Sequence, residues 1–443
     1  MPIDRRAFLS AAALAPLSSI RVSAAGWRAG VAVADITPTS SLWMAGFAAR
    51  TRPSQGTAMP LHAKALALED AGGRRLVVVT LDLLGVTDGM AARISARVAK
   101  AHRLARERLL LAASHTHSGP VVDAQLMVAY DVTPQQVRDI EAYTATLEDQ
   151  IVGVIGKGIA ALAPATLHTG ATTAAFAANR RVQFGENGPV DHRVPVLRVD
   201  VGGRARAVLF SYACHNTTLS AENVEWHGDY AGVAQAAIEA ANPGVTALFM
   251  SGCGADANPK PRGTRDDVQR HGEELARAVS GALSTLTPVT GDARAAYGVT
   301  ELPFEAALTP EQWKARFGLA DPYVARHARE MDRISARDGR LPRAHGIPLQ
   351  VWRIGKDVTL VAIGGEVVVD YALRLRREHP DANIWPVGYA NDVFGYVPSR
   401  RILQEGGYEG GGALLYYVQP GPFDTSVEDR IFAALDRLIA GTR

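Results

Sequence analysis

A chain of 443 residues, 47% of them hydrophobic, can bury a large core and has room for one to three domains of ordinary size. Its formal charge of +2, with no basic block and no Lys/Arg stripe interleaved with aromatics, excludes a nucleic-acid footprint and favours a small-molecule role. The two cysteines, Cys214 and Cys253, end apolar runs and do not form a metal-spaced pair, so they are expected as buried free thiols rather than as a disulfide.

The first 25 residues pair Arg5 with Arg6, continue into a modest apolar stretch from Phe8-Leu9, and close on Val22-Ser23-Ala24, a small-x-small ending. This composition predicts a twin-arginine export signal over 1–25 and a periplasmic or secreted location, leaving 26–443 as a single domain. No later apolar stretch reaches about 18 residues, so no transmembrane anchor is expected. Contact with a membrane surface stays open, and the sequence does not specify an oligomeric state.

Further along, "RRLVVVTLD", "RLLLAASH", "ARAVLFSYACH", "TALFMSGCGAD", "DVTLVAIGGE" and "NIWPVGYAN" read as short strands buried on both faces. Between them lie helical stretches, among them "GMAARISARVAKAHRL", "TPQQVRDIEAYTATLEDQIVGVIGKGIAAL", "AGVAQAAIEAA", "QRHGEELARAVSGAL" and "EVVVDYALRLRREH". Thr133-Pro134 and Thr309-Pro310 each look like an N-cap followed by proline at the first helical position. The polar helical patch within about 301–345 reads as an insertion. The fold class expected is α/β, a mixed central sheet or sheets flanked by helices.

Asp82, His115, His215, Asp256, Glu366 and Asn391 stand at or just past the carboxyl ends of six apolar runs. Ligands bind at that edge of α/β sheets, because side chains from different strands converge there. His115 and His117 are spaced i, i+2, which in an extended segment points both imidazoles to one face. His215 closes another buried run, and Glu366 follows "VAIGG" and opens a helix. Two histidines and a glutamate are a common ligand set for catalytic zinc with an open position for water. A helix-dipole role for Glu366 and a packing role for the histidines are the bland readings of the same residues.

In order, the chain carries "GVAVADITP", "MAGF", "LHAKALALED", "VVVTLD", "SHTHSGP", "ANRRVQF", "SYACHNTTLS", "SGCGADANP", "IGGEVVVDYALRLRRE" and "YANDVFGYVPSRRILQEGGYEGG". This ordered set, spanning roughly residues 27 to 420, resembles the catalytic domain of the neutral/alkaline (non-lysosomal) ceramidases, zinc amidohydrolases that cleave the N-acyl bond of ceramide. The resemblance implies one Zn2+ ion held by His115, His215, Glu366 and Tyr396, with His117 as its neighbour in the second sphere. It implies Tyr408 in "GGYEGG" as a substrate-contacting tyrosine and Arg180 of the Asn179-Arg180 pair as the cation that polarises the substrate. His117 is then the candidate for carrying a proton to the leaving amine. The substrate class implied is a small-molecule or lipid amide.

Two features depart from the family pattern. Asn258 stands where the family's ceramide hydrolases carry a serine, and no C-terminal immunoglobulin-like domain is expected in a chain whose last motif is followed so soon by Arg443. Both weaken the inference to ceramide more than the inference to a zinc hydrolase. The rival readings are a zinc esterase, lactonase or amidase on a non-lipid substrate, a TIM-barrel amidohydrolase, and an exported metal- or solute-binding protein without catalysis.

Overall fold

The structure, a computed structural model, describes residues 26–123, 126–185 and 188–443; the expected export signal at 1–25 lies outside the described residues. The chain opens with strands β1 (Trp27–Asp35), β2 (His62–Asp70) and β3 (Arg75–Leu81), then passes through helix α1 (Asp88–His102) into β4 (Leu109–Ala113) and the long α2 (Pro134–Ala160). Strands β5 (Ala163–Thr173), β6 (Arg193–Val201) and β7 (Arg204–Tyr212) follow, and α3 (Asp229–Ala241) leads to β8 (Thr246–Ser251) and α4 (Arg265–Ala282). The last third holds β9 (Ala293–Pro303), α5 (Pro322–Asp338), β10 (Ala344–Ile354), β11 (Val358–Ile363), α6 (Val369–Glu378), β12 (Ile384–Val387) and α7 (Val427–Gly441).

One mixed sheet runs β8-β7-β6-β5-β1-β2-β3-β4 and a second runs β9-β10-β11-β12, so the architecture is α/β with helices flanking open sheets rather than a closed barrel. Three neighbouring pairs are parallel: β3 with β4, β7 with β8, and β11 with β12. Parallel neighbours need a crossover, and α1, α3 and α6 supply one for each pair. Every residue of β4, β11 and β12 is buried, as strands covered on both faces must be.

The pairing direction also places the site, because both strands of a parallel pair end at the same edge. Hydrogen bonds between the emerging loops draw the three edges together: Ala113 N–H donates to the Tyr389 carbonyl at 3.2 Å, Gly388 N–H to Ser251 at 3.1 Å, and Ser251 Oγ to the Ser114 carbonyl at 2.8 Å.

Thr133 caps α2 through a reciprocal pair of bonds with Gln136, and Thr309 does the same with Gln312 for the short helix Pro310–Lys314. That short helix and α5 lie between β9 and β10, which pair along their whole length, and Trp313, Ala328 and Met331 give the excursion a small core of its own. Cys214 and Cys253 are buried free thiols. Among the described residues no helix is long and apolar enough to cross a membrane.

Glu366 departs from its expected place. It does not open a helix but sits in a two-residue strand, Glu366–Val367, three residues before α6 begins. Gly365, at φ 76°, turns the chain, and Glu366 N–H donates to the Gly395 carbonyl at 2.8 Å. The backbone of Glu366 is thereby committed to pairing with the segment Tyr396–Val397.

Candidate metal centre

β4 stops at Ala113, and two residues later His115 adopts a left-handed φ of 60°. The two histidines of "HTH" therefore do not share a face through extended geometry, as their spacing suggested; a turn in a sparsely populated conformation, worth about 1–3 kcal/mol of strain, aims them instead. Tyr389 and Asn391, at the end of β12, also have positive φ. His115 Nδ1 lies 2.7 Å from the Leu84 carbonyl and donates to it, which leaves Nε2 as a bare acceptor. His215, three residues past β7, brings its Nε2 to 3.2 Å from that of His115, and both rings are buried.

Glu366 and Tyr396 are register partners in their short parallel pair, so the backbone sets the two side chains side by side. Glu366 Oε2 stands 3.1 Å from His115 Nε2 and 3.1 Å from His215 Nε2, and the Tyr396 hydroxyl stands 3.3 Å from His215 Nε2. Oε2 is buried without a hydrogen-bond donor. Lone pairs facing lone pairs in a dry site repel unless a cation lies between them. A tetrahedral zinc ion with ligands at about 2.0–2.1 Å would space its donor atoms by about 3.3–3.4 Å, close to these separations. The donor set therefore fits a metal ion. Burial would raise the Glu366 carboxyl, but His115 and His215 hold it well below its usual range; burial and the Arg180 charge push His215 down to about 4. At neutral pH the His215 ring is therefore neutral.

His117 Nε2 is also 3.2 Å from His115 Nε2, and His115, His117 and His215 form a group able to hold a metal ion. Its Nδ1 is buried and unpartnered, and burial, then His115 and His215, press its pKa well below the ordinary value. Gly46, in "MAGF", packs flat against this ring: at its φ of 104° a Cβ would sit 2.4 Å from the His117 ring. Gly46→Ala should therefore displace His117 while sparing His215 and Glu366. We expect metal content to hold while kcat falls by about a hundredfold, the scale of a misplacement near 1 Å; zinc analysis and steady-state kinetics on one preparation check both.

Arg180 arrives from a different direction. The bridge Ala177–Asn179 pairs with Ala257–Pro259, and Arg180 N–H donates to the Asp256 carbonyl at 2.8 Å. Its guanidinium donates to the Tyr396 hydroxyl at 2.9 Å and to buried Glu409 at 2.7 Å, and lies 5.6 Å from the Tyr408 ring centre. Asn258, across the bridge, offers Oδ1 to Arg180 at 3.5 Å and to Thr217 at 3.4 Å, so it stands behind the arginine. Burial lifts Tyr396 well above its usual pKa while Arg180 opposes that rise, so the phenol ionises only with further cationic help.

Asp256 ties these parts together, accepting from Asn179 Nδ2 at 3.1 Å and from Val369 N–H, at the start of α6, at 2.9 Å. Burial pushes its pKa up to about 6 from 3.8. The folded state then holds this proton more tightly than the unfolded chain, so the group's stabilising contribution is full below about 3.8 and is lost as pH rises through about 6. Asp256→Asn removes that dependence. The stability of the variant relative to wild type, from urea unfolding, should rise by on the order of 3 kcal/mol between about pH 4 and about pH 7.

The donor cluster opens into a cavity of about 230 Å³ whose walls include Gly46, His117, Glu366, Tyr396, Tyr408 and Tyr417. Tyr417, which sequence reasoning missed, donates its hydroxyl to Glu366 Oε1 and thus fixes the carboxylate from its far side. With Leu126 it also borders a larger groove of about 890 Å³. Glu409 was missed too, although it lies within the quoted "GGYEGG" and receives both Arg180 and Arg181. Asp82 and Asn391 stay out of the donor cluster: Asp82 accepts from His62 N–H, and Asn391 joins Leu111 to Gln350.

Residues 27–252 match the sequence model of the neutral/alkaline non-lysosomal ceramidase N-terminal region. This chain belongs to that family. It is 25% identical to the neutral ceramidase of Mycobacterium tuberculosis over 471 aligned residues, covering 87% of this chain and 73% of that protein. With the neutral ceramidase of Pseudomonas aeruginosa it shares 29% identity over 230 residues, 48% of this chain and 34% of that protein. The crystal structure of the Pseudomonas aeruginosa neutral ceramidase superposes with a TM-score of 0.72 at 22% identity, covering 93% of this chain and 75% of that one. A ceramidase complexed with C2 gives a TM-score of 0.73 at 21% identity, covering 93% and 76%. At these identities the superpositions establish the shared fold. Family membership makes the chain a hydrolase of the ceramidase type, and a ceramide-type lipid amide is the substrate class the family implies.

Proposed function

We propose that this chain is a zinc-dependent hydrolase that cleaves the N-acyl bond of a ceramide-type lipid amide. The observation that carries the reading is the cluster of His115 Nε2, His215 Nε2 and Glu366 Oε2, each 3.1–3.2 Å from the next, with the Tyr396 hydroxyl alongside. These four residues would hold the ion, and His117 would stand just outside. A zinc ion held there would lower the pKa of water from about 15.7 toward about 7 and would polarise the scissile carbonyl.

The remaining work falls to the chain's own groups. His117, kept neutral by burial, accepts a proton at a ring nitrogen and passes it to the leaving amine. The Tyr408 hydroxyl, on the cavity wall, donates to the charge developing on the amide oxygen, and the Arg180 guanidinium beside it adds a fixed positive field. Asn258 holds Arg180 from behind, so its amide takes an orienting role. The same reading takes 1–25 as a twin-arginine signal delivering the protein to the periplasm or beyond, and 26–443 as one catalytic domain with a helical insertion at about 301–345.

Zinc-loaded protein assayed against ceramides, N-acyl amino acids, simple amides and esters, with products identified by mass spectrometry, tests this reading. Release of a sphingoid base and a fatty acid from ceramide is expected. Stoichiometric zinc without turnover on any member of the panel would instead describe a binding protein.

A further inference from the structure

Three of the six most exposed large hydrophobic side chains among the described residues belong to one neighbourhood: Val182 at 60%, Phe184 at 42% and Tyr408 at 44%. Val182 and Phe184 form a single 3-10 turn, Val182–Phe184, directly after Arg180 and Arg181. The Phe184 ring packs against Gly407, where a Cβ would lie 3.1 Å from it, and Gly407 precedes Tyr408 on the cavity wall. An apolar cluster thus stands at the rim of the catalytic cavity.

The turn is held from beneath. Arg181, itself buried, donates to Glu409, to Glu405 at 2.9 Å and to the Gly406 carbonyl at 3.0 Å, while its guanidinium lies 4.5 Å from the Phe184 ring centre. Arg180 anchors the preceding residue on Glu409 and Tyr396. Folding has spent its polar contacts on presenting these side chains rather than on covering them, and exposed apolar patches of this kind mark interaction sites. Among the described residues the charges at the base are three arginines, Arg180, Arg181 and Arg401, paired with three carboxylates, Asp370, Glu405 and Glu409.

We propose that the turn Val182–Phe184 is a docking element that rests on an uncharged or zwitterionic lipid surface, bringing the cavity mouth against the aggregate in which the lipid amide is dissolved. The proposal deepens the ceramidase reading and rests on it. Two features select this partner. The patch adjoins Gly407 and Tyr408, the latter on the cavity wall, and the charges described beneath it are paired with one another, which gives an anionic surface no net attraction.

The test is sedimentation with phosphatidylcholine vesicles, using the zinc-loaded wild type and the double variant V182S/F184S. The double variant should bind about tenfold more weakly, the scale of two partly buried apolar side chains. Binding of the wild type should change less than about twofold between about 0.05 and about 0.5 M salt, because screening acts only on charge. Val182→Trp, which leaves the Phe184 packing intact, should tighten binding. On a short-chain N-acyl amide dissolved as monomers, kcat/KM of V182S/F184S should equal that of wild type. Equal vesicle binding by wild type and double variant would overturn the proposal. So would a wild-type dimer in sedimentation that the double variant dissolves without any effect on vesicles, which would assign the patch to a second copy of this chain. Loss of vesicle binding in a protein that hydrolyses no amide would leave the docking element standing and remove the ceramidase reading.

Discussion

His215→Ala is expected to release the metal and reduce amide hydrolysis to background, while His117→Ala keeps the metal and loses about 10²–10⁴-fold in kcat. The two histidines differ in what surrounds them. His215 Nε2 faces His115, Glu366 and Tyr396 at 3.1–3.3 Å, so its removal takes one donor from a set of four and leaves the Glu366 carboxylate buried against a gap. A catalytic zinc site has few protein ligands, and losing one leaves the ion too weakly held to survive dialysis. His117 Nε2 lies 3.2 Å from His115 Nε2 and its ring packs edge-on against His215, but its Nδ1 has no hydrogen-bond partner and its ring lines the cavity. If both variants kept the metal, the donor set would be misassigned; if both lost it, His117 would belong among the ligands.

Tyr408→Phe should retain the metal and lower kcat by about a hundredfold, the cost of one donor aimed at developing oxyanion charge. Tyr396→Phe should lose metal affinity and turnover together. Both rings lie near Arg180, at 5.5 and 5.6 Å from its guanidinium carbon, but only the Tyr396 hydroxyl accepts a hydrogen bond from it. The split between metal content and rate is therefore the informative quantity. Tyr408 is half-exposed, so phenylalanine there should fold normally.

What the sequence displayed follows from how each strand is covered. The six continuous apolar runs became the three parallel pairs, because strands buried on both faces carry few polar residues. The antiparallel strands that link them were harder to see. β5 reads "APATLHTGATT" and β9 "ARAAYGVTELP"; each leaves one face to solvent, and Ala, Gly and Pro blur the alternation that would mark a strand. The site followed the same division. Positions just past parallel strands pointed to Asp82, His115, His215, Asp256, Glu366 and Asn391, since topology brings such ends together, but Asp82 and Asn391 stay out of the donor cluster. Tyr396 came only through family resemblance, because a two-residue strand leaves no periodic trace. Gly46 and Tyr417 act through close approach and a single hydrogen bond across distant segments, and neither signal exists in one dimension. The positive φ of His115 was hidden for the same reason: the conformation is imposed by tertiary contacts rather than by the residue's own preference.

The central claim is that one metal ion in the His115, His215, Glu366 and Tyr396 cluster performs the amide hydrolysis. The most direct measurement is the rate of ceramide hydrolysis while chelator-stripped protein is titrated with zinc. No activity is expected without metal, followed by a linear rise and a sharp break at one equivalent of zinc per chain. Full activity in the stripped protein, or none at saturating zinc, would contradict it.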